Sequence, residues 1–113
     1  MPSRSSSSVR VFSRPYSREE LVALLRRQLP ALAAVLPVRR VVLFGSWAKG
    51  RATAFSDIDL LVVYADPPRD DAYALLRRHL SLRGLEPHVY SETEAARLRP
   101  TLERMTRDGI VLL

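Results

Sequence analysis

Two aspartates one residue apart, in Ser56-Asp57-Ile58-Asp59-Leu60, follow a glycine-bounded turn, Gly45-Ser46-Trp47-Ala48-Lys49-Gly50. A glycine turn that opens a helix offers unpaired backbone N–H groups to an anion. On a strand, side chains at i and i+2 point to one face, about 6.6 Å apart along the chain. Like charges that close repel unless a cation lies between them. Mg²⁺ meets that demand, because it takes one or two carboxylates and fills its shell with substrate phosphates and water. Mn²⁺ accepts the same oxygen donors. Together the two motifs predict a site for a metal-bound nucleoside triphosphate, with Asp57 and Asp59 as ligands.

Each motif also has a plainer reading. Gly45-Ser46 alone is an ordinary strand-to-helix turn with a serine cap. It is not a P-loop, since Arg51-Ala52 stands where Lys-Ser/Thr is required. No G-x-G-x-x-G is present, which removes the usual dinucleotide fingerprint. A two-metal site wants a third carboxylate, and Glu86 in the following strand is the candidate, against the reading of a solvent-facing strand residue. Lys49, the only lysine, and Arg51 would meet phosphate as cations, or simply be solvated. Trp47 reads as base stacking or as packing. His88 shares a strand face with Glu86; a hydrogen-bonded structural role is the first reading, metal binding or base chemistry the lesser one.

These residues need a scaffold of strands and helices. Ser17-Arg18-Glu19-Glu20 has the form of a capping box, and Leu21, Leu24, Leu25 and Leu29 recur at helical spacing behind it. Pro30 is expected to kink or end this helix. Val38 to Phe44 reads as a buried strand, Gly45-Ser46 as the start of a short helix, and Ala52 to Ser56 as a connection. Asp57 to Tyr64 reads as a second strand, with the acids, Leu61 and Val63 on one face. After the loop Asp66-Pro67-Pro68, a helix with Ala72, Leu75, Leu76 and Leu80 inward is expected to reach about Leu82 and end at Gly84. Leu85 to Tyr90 is a third strand, in which Pro87 implies an edge position or a bulge. The capping box Ser91-Glu92-Thr93-Glu94 opens a helix expected to break at Pro100, and Ile110 to Leu113 is an apolar end. Strands alternating with helices predict a mixed α/β sheet.

Bulk properties narrow the class. A chain of 113 residues suits one domain, expected over 17–113 behind a flexible Ser/Arg-rich tail at 1–16. The absence of cysteine excludes disulfides and thiolate chemistry and fits a reducing cytoplasm. No apolar run reaches the length of a membrane span. The charge of +6 comes from 17 arginines and one lysine against 12 acids, spread in pairs such as Arg39-Arg40. That dispersal reads as a solvated basic surface rather than direct nucleic-acid binding.

The motifs resemble those of the DNA polymerase β-like nucleotidyltransferases, whose G-S-x-x-x-G … S-D-x-D-L signature is matched by Gly45-Ser46 through Gly50 and by Ser56 through Leu60. Glu86-Pro87-His88-Val89-Tyr90-Ser91 resembles the family's later strand with the third acid. The compact length resembles the minimal nucleotidyltransferase (MNT) branch, antitoxins of helical HEPN-domain proteins. The resemblance implies the α+β nucleotidyltransferase fold, a mixed β-sheet flanked by helices. It implies two Mg²⁺ ions on Asp57, Asp59 and Glu86, with the outgoing pyrophosphate held at Gly45 and Ser46. It further implies transfer of AMP from ATP to a hydroxyl, a tyrosine of the HEPN-type toxin partner. Two alternatives stand beside it: an antitoxin that acts by binding alone, and a small-molecule nucleotidyltransferase whose acceptor site comes from a partner subunit or a homodimer.

Overall fold

The computed structural model describes residues 16–53 and 56–113. The expected tail, Tyr16 excepted, and Ala54 and Phe55 of the expected connection lie outside them. The first helix, α1 (Arg18–Ala33), starts where its capping box predicts. The Glu20 amide donates to Ser17 Oγ at 3.1 Å, and the Ser17 amide donates to Glu20 Oε1 at 2.7 Å. Pro30 does not end it. Leu29 and Leu32 flank the proline and are both buried, and that burial offsets a backbone penalty of about 3 kcal/mol.

Strand β1 (Val38–Phe44) pairs antiparallel with β2 (Ile58–Tyr64), which pairs in parallel with β3 (Leu85–Ser91). The expected strand began at Asp57; the ladder begins at Ile58, whose amide donates to Gly84 O at 2.7 Å. Between β2 and β3 lies α2 (Ala72–His79). It stops short of the expected Leu82 because the chain turns extended at Leu80, where alternate residues Leu80 and Leu82 both reach the core. Gly84 therefore sits in the turn before β3 instead of capping a helix.

The Ser91 capping box is formed, and it opens α3 (Glu92–Arg97). The break before α4 (Arg99–Met105) falls at Leu98, not at Pro100. Pro100 occupies the first turn of α4, where a missing N–H costs nothing. The apolar end contains a short strand unforeseen from sequence, β4 (Ile110–Val111), paired antiparallel with β1. The sheet order is β3-β2-β1-β4. Pro87 thus lies on an edge strand, and the β2–β3 register runs without a bulge from Ile58↔Leu85 to Tyr64↔Ser91.

One sheet face (Val41, Leu43, Ile58, Leu60, Val62) packs against Leu21, Leu25, Leu29 and Leu32 of α1 and Leu76 of α2. The other face (Val42, Phe44, Leu61, Val63) is covered more thinly, by Leu102 of α4 with Ala95 and Met105. Ser91 is fully buried at the start of that thin cover. Ser91→Ala is expected to lower the unfolding free energy by about 1–2 kcal/mol in urea titration, because the Glu94 amide loses its acceptor. Among the described residues no helix is long and apolar enough to cross a membrane.

Candidate active site

The site is assembled where β1 ends, β2 begins and β3 begins. Asp59 stands opposite Phe44 on one side and Glu86 on the other, so Glu86 shares its face of the sheet. Asp59 is partly buried, whereas Asp57, one step ahead of the strand, and Glu86 on the edge strand are exposed. Burial raises the Asp59 carboxyl above the ordinary aspartate range; His88 opposes that shift, and the charges of Asp57 and Glu86 add to it.

Gly45 follows Phe44 directly and adopts φ +78°, in the left-handed region. A Cβ on Gly45 would overlap Asp59 Oδ2, so the turn and the carboxylate are in contact only because no side chain intervenes. The segment after Gly45 is a turn, not the short helix expected, since Gly45 and Gly50 (φ +73°) both leave the helical region. Its internal bonds run from the Lys49 amide to Gly45 O (3.2 Å), from Gly50 to Trp47 O (3.3 Å) and from Arg51 to Ser46 O (2.8 Å). The Ser46 and Trp47 amides take no part in those three bonds. Arg18 of α1 holds the turn from below, its Nη1 donating to Ala48 O at 2.9 Å.

Trp47 is 2 % exposed and lies against Tyr16, ring centroids 6.4 Å apart, so it packs the turn and offers no face to a base. Lys49 and Arg51 are exposed at the far end of the turn. Among the described residues neither forms an ion pair with the acids. His88 lies nearer the acids than sequence alone indicated: its Nε2 is 3.7 Å from Asp59 Oδ1, and its ring packs on Phe44 with centroids 5.2 Å apart. The signal available for it was only its i+2 spacing from Glu86.

The donor chemistry fits a hard divalent cation. Asp57, Asp59 and Glu86 supply carboxylate oxygens at one end of the sheet, with charges close enough to disfavour ionisation of Asp59. A cation would relieve that cost. Among the described residues the side chains do not converge as a group of three or more ready ligands. Asp57 lies off the strand and Glu86 is a long exposed side chain, so both would have to swing toward Asp59.

Comparison with known proteins bears on the family and the fold. The family model described as "nucleotidyltransferase domain" matches residues 25–112. A candidate nucleotidyltransferase from Sulfolobus solfataricus has a similar structure, with TM-score 0.56 and 23 % identity over 84 % of this chain and 81 % of that one. A mutant of the MntA-HpeT toxin-antitoxin pair includes a chain similar at TM-score 0.50 and 20 % identity, covering 87 % of this chain and 73 % of that one. At these identities the two likenesses establish the fold. No curated protein sequence matches the chain.

Proposed function

This chain belongs to the nucleotidyltransferase domain family, and from that premise we propose that it transfers AMP from ATP to a tyrosine hydroxyl of a HEPN-type helical toxin, acting as the antitoxin. One observation carries the reading: the Gly45 turn and the Asp59 carboxylate touch, so a triphosphate on the turn would lie beside the acids. The likeness to a chain of a toxin-antitoxin pair supports a toxin as the partner.

In this reading the acceptor oxygen bonds to the α-phosphorus, the bond from that phosphorus to the bridging oxygen breaks, and pyrophosphate leaves. The Ser46 hydroxyl and the backbone N–H groups at the start of the turn hold the departing phosphates. Asp57 and Asp59, with Glu86, would hold Mg²⁺, which when bound neutralises charge on the phosphates. Glu86, exposed on the edge strand, takes the acceptor's proton. Lys49 and Arg51 lend positive charge near the turn's outer end. The remaining rate comes from fixed orientation of two reactants on one rigid sheet end.

The test is the intact mass of a HEPN-type helical protein, after incubation with the full chain, Mg²⁺ and ATP. Gain of one or more AMP units, absent with Asp57→Asn, is the expected result. A stable complex without mass gain would instead support neutralisation by binding alone. Neither complex nor mass gain would point to a small-molecule acceptor.

A further inference from the structure

His88 carries a buried ring nitrogen for which the proposed reaction gives no use. Its Nε2 is shut off from solvent and has no hydrogen-bond partner among the described residues. Such atoms are uncommon in folded proteins and ask for an explanation. The ring is held by Phe44 at 5.2 Å, and the β2–β3 register sets His88 opposite Leu61, one alternation along from Glu86 opposite Asp59. Nε2 therefore faces Asp59 Oδ1 at 3.7 Å, an approach too long for a hydrogen bond but short of one by only a small side-chain adjustment. The other oxygen of the same carboxylate, Oδ2, lies against Gly45. Asp59 is thus bracketed, with the glycine turn on one oxygen and an unpartnered imidazole nitrogen near the other.

We propose that His88 is a positioning residue for Asp59, its Nε2–H donating to Oδ1 in the working site and fixing the carboxylate that receives the divalent cation. This rests on the reading of Asp59 as a metal ligand. A neutral imidazole suffices, since one N–H is all the bond requires. Groups that hydrogen-bond a metal ligand from behind restrict its orientation, and their loss commonly weakens metal binding by about 10–100-fold. The role also accounts for a polar side chain against Phe44 and Asp59 on a face where Leu61 and Val63 are apolar.

The experiment measures Mn²⁺ affinity of the full-length chain in the presence of a non-hydrolysable ATP analogue, by electron paramagnetic resonance. His88→Phe keeps a ring against Phe44 and removes the donor; a loss of about tenfold or more in affinity is expected. His88→Gln replaces Nε2 with an amide donor at similar reach, and it should recover most of that loss. Wild-type affinity in His88→Phe, or equal loss in both variants with their melting temperatures kept, would overturn the role. Should His88→Phe fail to fold, nitrogen-15 NMR of the wild type with Mg²⁺ and the analogue decides instead: a protonated Nε2 supports the bond, and the opposite tautomer overturns it. No Mn²⁺ binding by the wild type would defeat the metal reading and the His88 role together. Binding lost in Asp59→Asn but kept in His88→Phe would defeat the His88 role alone.

Discussion

Asp59→Asn, and separately Asp57→Asn, is expected to lower AMP transfer by at least about a hundredfold, some 2.7 kcal/mol of activation free energy. The substitution keeps the shape and removes the negative charge, so it removes attraction for a cation without opening a cavity. The stability of Asp59→Asn should move the other way. Burial, together with the charges of Asp57 and Glu86, holds the Asp59 carboxyl above the ordinary aspartate range in the folded protein. An acid whose folded pKa exceeds its unfolded value costs stability once the pH has risen through that folded pKa, and costs none below the unfolded value. Asp59→Asn should therefore melt slightly higher than wild type near neutrality without metal, and the gain should vanish in acid. Solvent screening at a partly exposed group keeps the gain small. Transfer assays and metal-free melts at two pH values check both halves. Near-normal turnover by both asparagine variants would reject the assigned ligands.

What the sequence made legible was local. Capping boxes at Ser17 and Ser91 depend on residues three apart, and both open helices where expected. The two-residue alternation of β2 sorted Ile58, Leu60 and Val62 from Asp59, Leu61 and Val63, and the two packed faces of the sheet divide along that line. What failed was non-local. Pro30 stays inside α1 because Leu29 and Leu32 are buried against strands far away in sequence. β4 is two residues long and carries no periodicity; it exists because β1 leaves an edge for Ile110 and Val111 to pair with. Within the site, the aspartate pair was visible from spacing, and Pro87 correctly announced an edge strand. The contact of Gly45 with Asp59 and the unpartnered nitrogen of His88 arise only when three strands meet, and no window of sequence contains them.

Gly45→Ala should disable transfer through a single added methyl, and Gly50→Ala shows why. Both glycines adopt positive φ, +78° and +73°, so both alanine variants meet similar backbone strain, roughly 1–2 kcal/mol. At Gly50 the added carbon would find only Arg18 Nη1, at 3.9 Å. At Gly45 it would overlap the Asp59 carboxylate, which would have to turn away or push the turn outward. The expected result is a modest loss of stability in both variants, with AMP transfer falling about thirtyfold or more in Gly45→Ala and within about threefold of wild type in Gly50→Ala. A cycle with Asp59→Ala isolates the clash, because shortening Asp59 empties the space the methyl needs. The stability cost of Gly45→Ala should then drop toward that of Gly50→Ala, a non-additivity confined to residues in contact. Equal and additive costs for the two glycines would mean that the turn is strained but not fitted to the carboxylate, and the proposed pairing of a phosphate-binding turn with a metal ligand would lose its structural basis.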